Sequence, residues 1–294
     1  MKNDLDINVP FINHLLDLWL EEDIGRGDLT NSILKEDLVS AYWVAKKEGV
    51  FCGGNLIQLL FKKLDPLVEI KLLLKDGDRF QADQKVLEIE GPANALIKGE
   101  RTALNISMHL SGIATTTAIL VEQLKDTSMH LVDTRKTTPG LRLLEKYAVR
   151  CGGGINHRLG LDDAAMLKEN HIAWSDGITA SIKTLRARIP WTTKIIVEAE
   201  TPNQAEEAVK AGADGVLLDE MPPEIISSLV PRLRKLASFH SANNSPGSIT
   251  IEISGIDPMK IKEYITTGAD LISTSAPTTK SNWIDFSMRF NDRS

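Results

Sequence analysis

The stretch Lys194-Ile-Ile-Val-Glu-Ala-Glu-Thr-Pro-Asn-Gln-Ala-Glu-Glu-Ala-Val-Lys-Ala-Gly-Ala-Asp-Gly-Val-Leu-Leu-Asp219 holds the fold in miniature. Lys194–Glu198 is a short β-branched run, the composition of a buried strand. A helix from Pro202 to Ala211 follows. Gly212-Ala-Asp214 then turns the chain into a second strand, Gly215–Asp219. The same β-α-Gly-Ala-Asp-β unit recurs downstream: strand Ser248–Ile253, helix Pro258–Thr267, Gly268-Ala-Asp270 and strand Leu271–Ser273. Repeated βα units with right-handed crossovers build a parallel sheet, open or closed into a barrel. His130–Asp133 reads as a further strand of that sheet.

Upstream the texture differs. Pro10 opens a helical pattern carried by Phe11, Leu15, Leu18 and Trp19, and Gly25-Arg-Gly27 ends it as a surface turn. Strand-like runs at Ala41–Ala45, Val68–Leu74 and Lys85–Glu90 are punctuated by Gly53-Gly54, Asp76-Gly77 and Gly91-Pro92, with a helix at Asn55–Leu64. This is a small α+β domain. A long helical pattern starts near Ala93, breaks at Ser111-Gly112 and resumes to about Lys125. The expected division is residues 1–112 and 113–294, with the C-terminal tail free to pack back on the first domain. Ser241–Gly247 reads as a mobile connection.

The whole chain sets outer limits. Its 294 residues suit two domains, or one barrel with an extension. A net charge of −6 and a pI near 5.6 argue against a nucleic-acid surface. Two cysteines without C-x-x-C spacing predict neither a disulfide framework nor a structural zinc site. The N-terminus lacks a cationic start followed by an apolar run, so no signal peptide is expected, and no apolar stretch of ~18 residues predicts a membrane span. The expected setting is cytoplasmic.

The chemistry concentrates where strands end: Asp133-Thr-Arg-Lys136, Lys168-Glu-Asn-His171, Glu198, Asp219, Glu252-Ile-Ser254 and Ser273-Thr-Ser275. In α/β barrels the carboxyl ends of the strands carry the active site. Between Asp133 and Arg158, six Arg or Lys stand against two acids, a cationic knot in an acidic chain suited to a small anion. Arg135 can clamp a carboxylate through two parallel hydrogen bonds, and Lys136 can act as a point charge. Gly152-Gly-Gly154 allows close backbone approach before His157 and Arg158. Thr138 as N-cap and Pro139 at the first position predict a helix whose Arg142, Lys146 and Arg150 form a solvated face. Lys168 can serve as a Schiff-base nucleophile or as an anion anchor. Glu198 and Asp219 suit Mg²⁺ beside substrate phosphates, or structural pairing with the arginines. Neither a phosphate loop of the G-x-x-x-x-G-K type nor G-x-G-x-x-G after a strand occurs, which weighs against ATP and dinucleotides.

Asp-Thr-Arg-Lys-Thr-Thr-Pro-Gly-Leu-Arg-Leu-Leu-Glu-Lys-Tyr-Ala-Val-Arg-Cys-Gly-Gly-Gly-Ile-Asn-His-Arg (133–158) strongly resembles the core motif of the quinolinate phosphoribosyltransferase family. The flanking segments 22–30, 99–105, 109–115, 167–172, 217–221 and 252–255 agree, so the resemblance runs nearly end to end. It implies an open seven-stranded, TIM-like α/β barrel with an N-terminal α+β domain. It further implies phosphoribosyl transfer from phosphoribosyl pyrophosphate to quinolinate with decarboxylation, Mg²⁺, and a homodimer or higher oligomer with shared sites. By this resemblance Arg135, Arg158 and Lys168 are the dicarboxylate-binding cations, with Thr134 and His157 beside them, and Lys136 lies at the junction of both substrates. Glu198 and Asp219 match the acids near ribose and metal. Ser254-Gly255 and Thr274-Ser275-Ala276 match the phosphate-binding turns, and Arg101 matches an arginine that reaches into the neighbouring subunit's site. Two positions depart from the family pattern: Ser254-Gly255-Ile256 is one residue shorter than the usual turn, and Ser275 stands where many relatives have glycine. The competing readings are a paralogue with another acceptor, such as the homologues associated with molybdate transport, a Schiff-base aldolase barrel using Lys168, and a non-catalytic scaffold.

Overall fold

The computed structural model describes residues 10–34, 37–240 and 249–291; the Ser241–Gly247 connection lies outside them. In chain order the elements are α1 (Pro10–Ile24), β1 (Leu38–Ala45), β2 (Gly49–Val50), α2 (Gly54–Leu64), β3 (Glu69–Leu72), β4 (Arg79–Phe80) and β5 (Lys85–Pro92). There follow α3 (Ala93–Glu122), β6 (His130–Val132), α4 (Arg142–Cys151), β7 (Ala165–Leu167), α5 (Glu169–Ala173), α6 (Ile178–Arg186) and β8 (Ile195–Ala199). The remainder are α7 (Pro202–Lys210), β9 (Gly215–Asp219), α8 (Pro223–His240), β10 (Thr250–Ser254), β11 (Leu271–Ser273), α9 (Ala276–Thr279) and β12 (Phe286–Phe290). The chain forms two compact units. One comprises the residues up to Ala118, Leu143–Gly153 and the stretch from Lys280 onward; the other comprises Ile119–Arg142 and Gly154–Thr279.

The first unit is α+β. Its main sheet is antiparallel, in the order β12-β1-β5-β3, over a core that includes Trp43, Phe51, Phe61, Phe80, Leu87 and Phe286. On α1 the buried side chains are Ile12, Leu15, Leu16 and Leu20, whereas Phe11 and Leu18 are half exposed, so the apolar stripe is rotated from the expected one. The expected break at Ser111-Gly112 is absent, because α3 runs through both residues. Ser111 Oγ accepts the Cys52 N–H at 3.0 Å, so the hydroxyl is satisfied inside the core. A Cβ at Gly112 would run into the Asn282 carbonyl, so glycine here permits backbone approach and ends nothing. Among the described residues α3 is the one helix long and apolar enough to cross a membrane. Its Leu96, Ala103, Leu104, Leu110, Ile113 and Ala114 instead pack in the core.

Helix α4 corrects two further expectations. It begins at Arg142, three residues after Pro139. Thr138-Pro139-Gly140-Leu141 is a β-turn closed by the Leu141 N–H to the Thr138 carbonyl at 3.0 Å, with Gly140 at φ +82°, a conformation that a helix start cannot accommodate. Its cationic face is not solvated. Lys146 is 1% exposed, and Arg142 donates to Thr137 Oγ1, Leu159 O and Arg135 O at 3.0–3.3 Å.

Asp76 braces the same unit. Its Oδ1 accepts the Gly53 and Gly54 N–H groups at 3.0 and 2.9 Å, at the start of α2, and its Oδ2 accepts the Tyr147 hydroxyl at 2.6 Å. Burial raises its carboxyl above the usual range, against the lowering effect of those hydrogen bonds. A raised folded-state value means that this group's contribution is fully present below pH ~4 and is lost as pH rises through the folded value. Asp76→Asn keeps an acceptor without the charge and should hold melting at neutral pH within about 1 kcal/mol of the parent. Asp76→Ala leaves buried donors unmatched and should cost about 2–4 kcal/mol. Thermal denaturation of both variants tests this; equal tolerance of alanine would refute the brace.

The second unit is the barrel half of the α/β fold. Its strands are parallel in the order β6-β11-β10-β9-β8-β7, with Ile195, Val197, Val216, Leu218, Ile251 and Ile253 buried. The repeated Gly-Ala-Asp acquires a physical reason here. Asp214 accepts the Ile195 N–H at 2.7 Å and Asp270 accepts the Ile251 N–H at 2.8 Å, each pinning the start of a neighbouring strand. The second repeat is irregular, since Pro258–Glu263 forms a 3₁₀ turn where a helix to Thr267 is expected. Six strands form ladders, and the expected seventh is reduced to one bridge, Ile155 to Val132, between the Gly152–Gly154 run and Asn156. Because β6 pairs with β11, the sheet curls as an open TIM-like barrel whose seam lies between Ile155 and β7.

Candidate active site

A cavity of about 560 Å³ occupies the carboxyl ends of the barrel strands. β6 delivers Thr134, Arg135 and Lys136; β7 delivers Lys168; β8, Glu198; β9, Asp219; β10, Ser254 and Gly255; β11, Thr274 and Ser275. The loop after Ile155 brings His157 and Arg158. Of the residues expected in this chain's own site, Ala276 does not line the cavity, and Arg101 is expected to serve a neighbouring subunit. Ala276 is buried just behind, its N–H donating to Thr274 Oγ1 at 3.2 Å, and Arg101 is exposed on α3 in the first unit. Asp133 and Glu252, given no individual role by the sequence beyond their strand-end clusters, also line it, as does Glu220, which no sequence signal singles out.

Asp133 acts as a strap, its carboxylate accepting the His157 N–H at 2.8 Å and the Asn156 side-chain amide at 2.7 Å. Arg158 Nη1 donates to the Ala164 carbonyl at 2.9 Å, which ties the loop to the start of β7 across the open seam. Burial lowers the affinity of the Arg158 guanidinium for its proton, and the like charge of Arg135 lowers it further. Arg135 Nε is itself buried with no hydrogen-bond partner among the described residues. Two guanidiniums held close enough to oppose one another suit an anion with more than one negative charge.

Acidic groups complete the cavity. Lys168 Nζ pairs with Glu198, and the Ser254 hydroxyl donates to Asp219. Gly255 has φ +73°, and a Cβ there would meet Glu220 N at 2.9 Å and Asp219 Oδ1 at 3.0 Å; glycine lets this turn close over the acids. The cavity therefore combines the cations Arg135, Lys136, Arg158 and Lys168 with the strand-end acids Glu198 and Asp219 and hydroxyl-lined turns.

A separate group that could hold a metal ion is Cys52, Asp76 and Cys151 in the first unit. Both thiols are free and buried, and burial pushes the Cys52 thiol well up. Thiols are soft ligands and do not fit Mg²⁺, which takes oxygen donors.

Residues 113–289 match the family profile "Quinolinate phosphoribosyl transferase, C-terminal domain", and residues 28–111 match its N-terminal counterpart. The chain belongs to the quinolinate phosphoribosyltransferase family. Similar members include the probable nicotinate-nucleotide pyrophosphorylase [carboxylating] of Bacillus subtilis, 42% identical over 94% of this chain and 92% of that protein. The Synechocystis protein of the same description is 41% identical over 95% of this chain and 92% of its own length. Among solved structures, NadC from Streptococcus pyogenes superposes with a TM-score of 0.89 at 38% identity, covering 98% of this chain and 99% of that one. The nicotinate-nucleotide pyrophosphorylase from Francisella tularensis gives a TM-score of 0.90 at 33% identity, covering 98% of both chains. As an enzyme of the quinolinate phosphoribosyltransferase class, the chain is neither a Schiff-base aldolase nor an inert scaffold, and its Lys168 ammonium is held in an ion pair with Glu198.

Proposed function

We propose that the strand-end cavity is where this chain carries out its family's reaction: phosphoribosyl transfer from phosphoribosyl pyrophosphate to quinolinate with loss of CO₂. The products are nicotinate mononucleotide and pyrophosphate, in NAD biosynthesis. The observation that carries the assignment of roles is that Arg135, Arg158 and Lys168 line one cavity together with Glu198 and Asp219. Quinolinate bears two adjacent carboxylates, and a dianion relieves the repulsion between the buried Arg158 and the part-buried Arg135. Lys168 adds a third cation, with Thr134 and His157 beside it, and the exposed Lys136 lies between the two substrates. Departure of pyrophosphate builds positive charge on the sugar, which Glu198 and Asp219 stabilise electrostatically. Ser254, Gly255, Thr274 and Ser275 take the phosphate groups, with Ala276 supporting the Thr274 hydroxyl from behind. During decarboxylation the quaternised ring nitrogen accepts the electron pair, so no separate organic cofactor is needed.

The oxygen donors of Glu198 and Asp219 fit Mg²⁺, which would neutralise phosphate charge when bound. We place the enzyme in the cytoplasm as a homodimer, with Arg101 entering the site of the second copy. The deciding assay mixes protein, Mg²⁺, phosphoribosyl pyrophosphate and quinolinate and looks for nicotinate mononucleotide. Product from nicotinate or another acceptor, and none from quinolinate, would sink the substrate assignment.

A further inference from the structure

Glu252 lies inside β10 and is 3% exposed, an unusual place for a carboxylate. Its Oε2 faces His157 Nε2 at 3.1 Å, while its Oε1 is buried with no hydrogen-bond partner among the described residues. On the other edge of the same imidazole, Nδ1 accepts the backbone N–H of Arg158 at 2.7 Å. An Nδ1 that accepts a hydrogen bond leaves the ring proton on Nε2, the nitrogen 3.1 Å from the carboxylate, although the contact is not aligned as a hydrogen bond in this arrangement. Glu252, the His157 ring and the Arg158 backbone thus form one chain of contacts. It ends on a guanidinium already fixed to the Ala164 carbonyl at 2.9 Å.

These three residues also separate two spaces. A second cavity of about 460 Å³ opens at the amino-terminal ends of the strands, lined by Ala164, Lys194, Gly215, Thr250 and Leu271 among others. Glu252, His157 and Arg158 line both this cavity and the substrate cavity. In closed barrels the interior is filled by layers of apolar side chains. In this open barrel a polar layer forms the floor of the site.

We infer that Glu252 is a positioning residue for quinolinate: it fixes the His157 ring, and through that ring the Arg158 backbone, so that the Arg158 guanidinium meets a carboxylate in register. This rests on the functional reading above and extends it to a residue that does not bind substrate itself. The expected result is that Glu252→Ala raises the KM for quinolinate by about tenfold or more, with the KM for phosphoribosyl pyrophosphate changing less than about twofold. Glu252→Gln should show a smaller rise, because it keeps the side-chain volume and an oxygen beside Nε2. Nitrogen NMR of isotope-labelled histidine in the ligand-free protein should show His157 protonated at Nε2 and bare at Nδ1, and Glu252→Ala should lose that signature. An unchanged quinolinate KM in both variants, or a wild-type ring carrying its proton on Nδ1, overturns the inference. If Glu252→Ala does not fold, Glu252→Gln and the wild-type spectrum still decide it. If wild-type protein leaves quinolinate untouched, the substrate reading fails, whereas the ring spectrum reports on the contact chain independently.

Discussion

Arg135→Ala is expected to weaken quinolinate binding by about 3 kcal/mol, or roughly 100-fold, because truncating one member of a desolvated charge pair costs about 2–5 kcal/mol. The fold should not suffer. Arg135 Nε has no hydrogen-bond partner among the described residues, and its charge opposes that of Arg158. Removing it relieves repulsion in the free enzyme, so the melting temperature should hold or rise slightly. Arg135→Lys should recover only part of the affinity, since an ammonium cannot present the planar two-donor fork. Titration calorimetry with quinolinate, beside thermal denaturation, separates the outcomes. Unchanged affinity would remove Arg135 from the substrate's carboxylates.

Asp219→Asn should act on the other kinetic constant. Asparagine retains an oxygen that can accept the Ser254 hydroxyl, so the end of β9 and the turn at Gly255 keep their geometry. What disappears is a negative charge where positive charge develops on the sugar. Loss of one preorganised electrostatic group costs about 100- to 1,000-fold in kcat. The KM for quinolinate should stay within about threefold, because Asp219 is assigned to the sugar side and uniform binding is not what it supplies. Steady-state kinetics with both substrates varied is the measurement. A variant with intact kcat would exclude Asp219 from stabilising the transition state. Paired with Arg135→Ala, the experiment divides the cavity into a part that binds the acceptor and a part that drives departure of pyrophosphate.

The barrel half was largely legible because its signals are local. Strand-length apolar runs, the recurring Gly-Ala-Asp and the polar residue closing each run all lie within a few positions of one another. Lys168, Glu198, Asp219, Ser254 and Ser275 accordingly line one cavity. What escaped depends on partners remote in sequence. Ser111-Gly112 looks like a helix break until Cys52 satisfies the serine and the Asn282 carbonyl occupies the space above the glycine. Thr138-Pro139 looks like a helix start until the positive φ of Gly140 turns the chain away. Lys146 repeats at helical spacing with Arg142 and Arg150, as a solvated stripe would, yet it is buried, since α4 is covered on almost every side. Glu252 was visible only as part of a strand-end cluster. Its significance needs His157, nearly a hundred residues earlier, brought to 3.1 Å.

Helix α4 has one more consequence. Leu143–Gly153 belongs to the first compact unit, although it lies in the chain between Arg135 and Arg158, both in the second. No single cut separates the two units. A recombination event or a truncated gene that kept only the residues after α3 would carry Leu144, Tyr147, Ala148 and Val149 away from the core in which they are buried. It would also expose that apolar set in the loop joining the two arginines. The cationic site and the α+β unit are therefore inherited together, and diversification in this architecture is confined to substitutions and loop changes within an intact chain.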